Sequence, residues 1–261
     1  MALAIFDLDH TLLSGDSDHT WGQFLVDKKI VDPSHYEKQN DYFYEQYKAG
    51  ALDIHEYLTF VLKPLTENPL ATMLALRDEF VEDRIKPLIT QKALDLIAKH
   101  RQAGDDLLII TATNAFITRP IATLLGFADL IAPEPEVIDG NYTGRITGIP
   151  SFHQGKVTRL EMWLAEKELN LEGAFFYSDS HNDLPLLNLV DQFIQQGIRP
   201  KQIGYFSFTR KAAREAANRA AEKFGLDAEK DLENFRTLHS YAFSRLAMTK
   251  EKMMTGDNYR E

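Results

Sequence analysis

Short apolar runs that end in acidic or polar residues recur along the chain. Residues 2–8, ALAIFDL, stop at an acidic cluster, residues 107–111 read LLIIT, and residues 174–178, AFFYS, lead directly into DSHND. Runs of this length, bounded in this way, predict strands buried on both faces of a parallel sheet. Before and between them the apolar spacing is helical, at 90–101 and 157–169. The alternation predicts an α/β fold, a Rossmann-like doubly wound parallel sheet with helices on both faces. Ligands of such sheets sit beyond the carboxyl ends of the strands, where these polar clusters fall.

One spacing does not fit a simple strand-helix-strand unit of about 30 residues. The first strand ends near Asp7 and the second begins near Leu107. Residues 14–86 carry helical patterns at 21–27, 36–49, 54–62 and 70–81, broken by Gly50, Pro64 and Pro69. They predict an inserted helical lid above the first strand; helices that only extend the core are the alternative. Trp21 and Phe24, at i and i+3, belong to the interior of that lid, and Phe43, Tyr44 and Tyr47 read as packing residues. Pro133, Pro135, Gly140, Gly144 and Gly148 punctuate 132–150, where VIDGNYTGRI suggests a turn between two short strands. The alanine-rich stretch 209–224 predicts a helix, and 229–248 a second one. The expected division is a core of 1–13 and 87–208, a helical cap of 14–86 and a helical extension of 209–261.

Composition narrows the class. The 261 residues are 44% hydrophobic and 26% charged, with no cysteine. Disulfides, thiolate catalysis and cysteine-ligated metals are excluded. No run approaches the roughly 18 apolar residues of a membrane span, and MALAIFDLDHT has no basic start before Asp7 interrupts it, so neither a membrane partner nor a secretory signal is expected. A cytoplasmic location follows as an expectation. The formal net charge of −10 argues against nucleic acid as a general partner. It is uneven: residues 1–200 hold 17 basic and 30 acidic side chains, residues 201–261 hold 12 and 9.

Asp7 and Asp9 place two carboxylates at the end of the first buried strand, a costly arrangement unless a cation compensates. Strand alternation would send them to opposite faces, so the chain must turn after Asp7 for both to meet one ligand. Taken alone, such a pair reads as turn or cap residues. The other strand ends alter the balance, because Thr111 closes LLIIT and Asp179 and Asp183 follow AFFYS. Four acids at one sheet edge suit Mg²⁺, which takes hard oxygen ligands and substrate phosphate. Lys156, in HQGK at a helix start, brings the positive charge a phosphoryl group needs. The eight histidines show no metal-ligand spacing.

These residues resemble the haloacid dehalogenase superfamily of phosphatases, in its phosphoserine-phosphatase-like branch with a helical cap after the first strand. Four motifs occur in order: DxDxT at Asp7–Thr11, the strand-end Thr111, GKxxRL at 155–160 and SDxxND at 178–183. The resemblance implies that Asp7 is a nucleophile forming an aspartyl-phosphate and Asp9 the general acid and base. It further implies Mg²⁺ on the Asp7 carboxylate, the Asp9 carbonyl and Asp179, with Asp183 behind them in the metal's water shell or on Lys156. Thr111, the Ala112 backbone, Lys156 and Asn182 would bind substrate. A ligand-binding module without catalysis, or transfer to an acceptor other than water, remains the alternative.

The cap departs from the phosphoserine enzymes. Their cap arginine, which pairs with the substrate carboxylate, falls on Val61 when the Gly-x-Leu turn is matched to Gly50-Ala51-Leu52. The same match puts Asp16 at the family glutamate that contacts the substrate amine. With Asp18, the flap DSDH is acidic and has no basic residue before Lys28, which favours a small phosphorylated metabolite carrying amine but no carboxylate. Histidinol phosphate fits, and DLDHTLLSGDSDHTWG, TATNAF and FYSDSHNDLPLL resemble a bacterial subgroup with members linked to its hydrolysis. A solvated, helix-capping turn is the plainer reading of Asp16 and Asp18.

Overall fold

The computed structural model describes residues 2–178, 204–207, 213–214, 217–218, 220–222 and 225–237. Six strands form one parallel sheet: β1 (Leu3–Phe6), β2 (Asp106–Ile110), β3 (Asp129–Ile131), β6 (Phe175–Tyr177), β7 (Gly204–Ser207) and β8 (Phe235–Thr237), in the order β3-β2-β1-β6-β7-β8. An antiparallel pair, β4 (Glu134–Ile138) and β5 (Asn141–Thr147), lies outside it. Its two-residue turn has positive φ at Asp139 and Gly140, the backbone that matches strand twist in a hairpin. The order runs outward from β1 in both directions, so β1 is the switch point where a crevice opens at the strands' carboxyl ends.

Alternate residues of β1 feed two cores. Ala4 and Phe6 pack with α5 (Gln91–Ala103) and α6 (Ala115–Leu124) through Ala93, Ile97, Phe116 and Ile121. Leu3 and Ile5 face α7 (Gln154–Lys167) through Val157, Leu160 and Leu164. Burial on both faces is why β1 reads as an unbroken apolar run. The first core continues without a break into four helices that follow β1: α1 (Ser17–Asp27), α2 (Pro33–Lys48), α3 (Ile54–Glu67) and α4 (Leu70–Phe80). Trp21, Phe24 and Phe80 form an aromatic cluster there, with centroids 5.1–5.7 Å apart, and Trp21 reaches Phe116 of α6 at 5.9 Å. The way in and the way out are joined: Leu13 bridges Ile89, and Ser14 donates from its N–H and hydroxyl to the Leu88 carbonyl, at 2.8 and 3.1 Å.

Helix starts follow their caps. Asp16, Asp32, Asp53 and Thr90 each accept a first-turn N–H through the side chain. The structure departs from the sequence expectations at four places. Pro64 does not end a helix; it lies within α3, whose buried stripe Leu58, Val61, Leu62 and Leu65 outweighs one lost backbone bond, while the Asn68 amide donates to the Pro64 carbonyl. The edge strand β3 has only three residues and no apolar run long enough to announce it. The aromatics of α2 divide, with Phe43 buried against Tyr57 and Phe60 while Tyr44 and Tyr47 are exposed. Finally, the second helix expected in the 209–261 extension is not formed at its start: residues 228–231 and 233–234 are turn, and 235–237 add β8 to the sheet, with 238–248 outside the described residues. The described residues of 209–224 are helical.

Candidate active site

β1 ends at Phe6, and Asp7 is tied to the neighbouring strand end, its N–H donating to the Tyr177 carbonyl at 2.8 Å. The chain then turns back sharply. The Leu8 carbonyl accepts the N–H groups of Thr11, Leu12 and Leu13, and His10 takes a positive φ of 54° while donating to the Gly15 carbonyl at 3.0 Å. This is the turn that the Asp-x-Asp spacing demanded.

Asp7 is 6% exposed and Lys156 4% exposed, and Lys156 Nζ donates to Asp7 Oδ1 at 3.1 Å. A buried carboxylate of this kind needs its cation. Lys156 is aimed by the junction of the preceding loop with the first turn of α7, where His153 has φ 47°, Gly155 N–H donates to the Phe152 carbonyl and Lys156 N–H donates to the His153 carbonyl. A Cβ on Gly155 would fall on the Pro150 carbonyl oxygen, so only glycine permits the loop to approach this closely.

Asp9 is held from two sides. Ser17 N–H donates to Oδ1 at 2.6 Å, and the Thr113 hydroxyl to Oδ2 at 2.8 Å. Burial, then the neighbouring Asp16 carboxylate, pushes the Asp9 pKa up to about 6 against the downward pull of the Ser17 and Thr113 hydrogen bonds. Beyond β2, Thr111 is buried with its N–H on the Ile131 carbonyl, its hydroxyl accepting Thr113 N–H at 3.1 Å and its carbonyl accepting the Ser151 hydroxyl. Ala112 N–H has no partner among the described residues, and α6 begins three residues on with its positive dipole end toward this loop.

The two flap acids have different surroundings. Asp16 caps α1, accepting His19 N–H at 2.8 Å, as the plainer reading expected. Asp18 instead turns toward α3, where the Tyr57 hydroxyl donates to Oδ2 at 2.7 Å. Burial is the main cause that pushes its pKa up to about 7. Val61 is buried within the helical insertion.

Asp7, Asp9, Thr111, Ala112 and Lys156 therefore cluster at the ends of β1 and β2 and the start of α7. Asp179, Asn182 and Asp183 lie outside the described residues. Among the described residues no three metal-ligating side chains come together. The donors that are described nevertheless fit a hard cation: a buried carboxylate on Asp7, and on Asp9 a carbonyl to which no described residue donates. Sequence reasoning missed Thr113, Ser151 and Tyr57. Thr113 stands two residues beyond the strand-end Thr111, a spacing that marks it in retrospect, whereas Tyr57 carries no local signal.

The haloacid dehalogenase-like hydrolase family matches residues 4–188, with the clustered residues inside the match. The chain belongs to that family. A histidinol-phosphatase from Neisseria meningitidis is 44% identical over 194 residues, covering 73% of this chain and 87% of that protein. A solved structure of a protein with unknown function from Bordetella pertussis is 41% identical, covers 75% of this chain and 96% of that one, and superposes with a TM-score of 0.66. The structure of a phospho-aspartyl intermediate analogue of phosphoserine phosphatase shares the fold at 20% identity, covering 72% of this chain and 82% of that one, with a TM-score of 0.54. A second family, the UvrD/REP helicase N-terminal domain, matches residues 186–259, a stretch that lies mostly outside the described residues and contains no GxxxxGK[ST] phosphate loop.

Proposed function

We propose that this family phosphatase releases phosphate from a small amine-bearing phosphomonoester, with histidinol phosphate as substrate and Mg²⁺ as cofactor. The observation that carries the reading is the contrast between two aspartates: Asp7 buried on a lysine at 3.1 Å, Asp9 held by two donors with its pKa near 6. The first is a carboxylate poised as nucleophile, the second a proton carrier suited to neutral pH.

In the first half-reaction an Asp7 oxygen bonds to phosphorus, the bond from phosphorus to the substrate oxygen breaks, and Asp9 gives its proton to that oxygen. In the second, Asp9 takes a proton from water as the water oxygen bonds to phosphorus. The Asp7–phosphorus bond then breaks, leaving inorganic phosphate and both aspartates restored. Lys156, the Thr111 hydroxyl, Ala112 N–H and Asn182 hold the phosphoryl oxygens, so that most of the work is positioning and charge neutralisation. Mg²⁺, held by the Asp7 carboxylate, the Asp9 carbonyl and Asp179, with Asp183 behind them, would let an anionic carboxylate approach an anionic phosphate. Residues 14–86 act as the cap that excludes water and reads the leaving group.

Two facts support the substrate. The relative from Neisseria meningitidis is a histidinol-phosphatase at 44% identity. The flap carries Asp16 and Asp18, and Val61 stands where a phosphoserine enzyme would need arginine for the substrate carboxylate. Phosphate release from a panel of phosphomonoesters tests both. Histidinol phosphate should exceed phosphoserine in kcat/KM by at least about tenfold, roughly the worth of one charged contact. Asp7→Asn should lower turnover by about a thousandfold or more, because an amide is a poor nucleophile. Preference for phosphoserine would overturn the substrate, near-normal Asp7→Asn turnover the covalent route, and full activity in excess chelator the metal.

A further inference from the structure

Three buried side-chain oxygens at the two helix starts that hold Asp9 have no hydrogen-bond partner among the described residues: the Ser17 hydroxyl, which can also donate, and two acceptors, Asp18 Oδ1 and Asn114 Oδ1. Asp18 follows Ser17, whose N–H holds one Asp9 oxygen, and Asn114 follows Thr113, whose hydroxyl holds the other. Asn114 is 2% exposed and stands at the N-cap of α6, yet its side chain makes no capping bond. An N-cap asparagine ordinarily accepts a first-turn N–H, so this amide is withheld from its usual local role. Buried acceptors left without donors are costly.

The groups that face Asp18 explain which ligand relieves that cost. Asp9 stands in the turn after β1, Asp16 caps the same helix, Tyr36 approaches from α2 and Tyr57 from α3. Two of these four groups are carboxyls, the other two are phenols, and no cation is among them. Asp16 is already committed to His19 N–H. Tyr57 occupies only one of the Asp18 oxygens and fixes the direction of the other.

We propose that Asp18, positioned by Tyr57, receives the charged amine of the substrate's leaving group, and that Asp16 does not take part. The site then selects phosphomonoesters of amino alcohols whose amine is charged. This rests on the phosphatase reading above and moves the recognition from Asp16, the position the family resemblance indicated, to a residue two further on.

A substrate-by-variant cycle tests it on the full chain. Histidinol phosphate and its N-acetyl derivative differ by one charge, so their kcat/KM ratio isolates the amine contact. That ratio should be about 30–100 in the wild-type protein, the factor expected for one charged hydrogen bond. It should fall below about 3 in Asp18→Asn and stay above about 10 in Asp18→Glu, which restores the charge, and in Asp16→Asn. A ratio that survives Asp18→Asn, or that collapses in Asp16→Asn, overturns the assignment, and the second arm decides even if Asp18→Asn fails to fold. Wild-type hydrolysis of p-nitrophenyl phosphate separates the two levels. Its presence with an unchanged ratio in Asp18→Asn removes this inference alone, whereas no hydrolysis of any ester removes the phosphatase reading as well.

Discussion

Asp18 sits in the first turn of α1 with its carboxyl against Tyr57, and burial raises its pKa from 3.8 to about 7. Its protonated form is favoured by folding, so its contribution to stability is fully present below the unfolded pKa near 3.8. That contribution is lost as pH rises through about 7. At pH 8 the folded protein therefore carries an ionised buried carboxyl. Asp18→Asn should raise Tm at pH 8 by roughly 3–6 °C and by less at pH 5, measured by calorimetry in metal-free buffer. An equal shift at both pH values would show that burial does not disfavour the Asp18 charge. The chemistry-bearing residues Asp7, Asp9, Thr111 and Lys156 were legible because their residue types recur at motif spacing. Tyr57 and Thr113 were not, since each acquires its role from a partner 39 or 104 residues away.

Elements were read well where local chemistry decides them and poorly where packing does. The turn of the β4–β5 hairpin was visible in Asp139-Gly140, and the start of α7 in HQGK. What the sequence could not display is why glycine precedes the lysine: the Pro150 carbonyl occupies the place of its side chain. Gly155→Ala must push that loop apart, with a cost of about 1–3 kcal/mol, and should carry Lys156 away from Asp7. The expected result is at least a tenfold loss of kcat/KM with a folded circular dichroism spectrum. Unchanged kinetics would mean that the loop yields without moving the lysine. Pro64 was misread for the same reason, as a long-range buried stripe overrode a local breaker.

At the scale of the molecule, one apolar core runs from the sheet through Phe116 and Trp21 to Phe24 and Phe80 of the helical insertion. Phe116→Ala should cost about 3–5 kcal/mol, the usual loss for a buried phenylalanine. Because the core is shared, sheet and insertion should melt together in a single calorimetric transition at lower Tm. A split into two transitions would show the insertion to be an independent unit. The sequence by itself determined the α/β class, the long interruption after the first strand and the acidic and polar residue types that gather at the strand ends, because apolar period and motif spacing are local properties of a chain. Only the tertiary structure decided which acid of the flap is a cap and which is buried on Tyr57, that Asp9 is shared between Ser17 and Thr113, and that residues 235–237 join the sheet as a sixth strand. Those outcomes depend on desolvation and on donors brought in from distant segments, which exist only once the chain has folded.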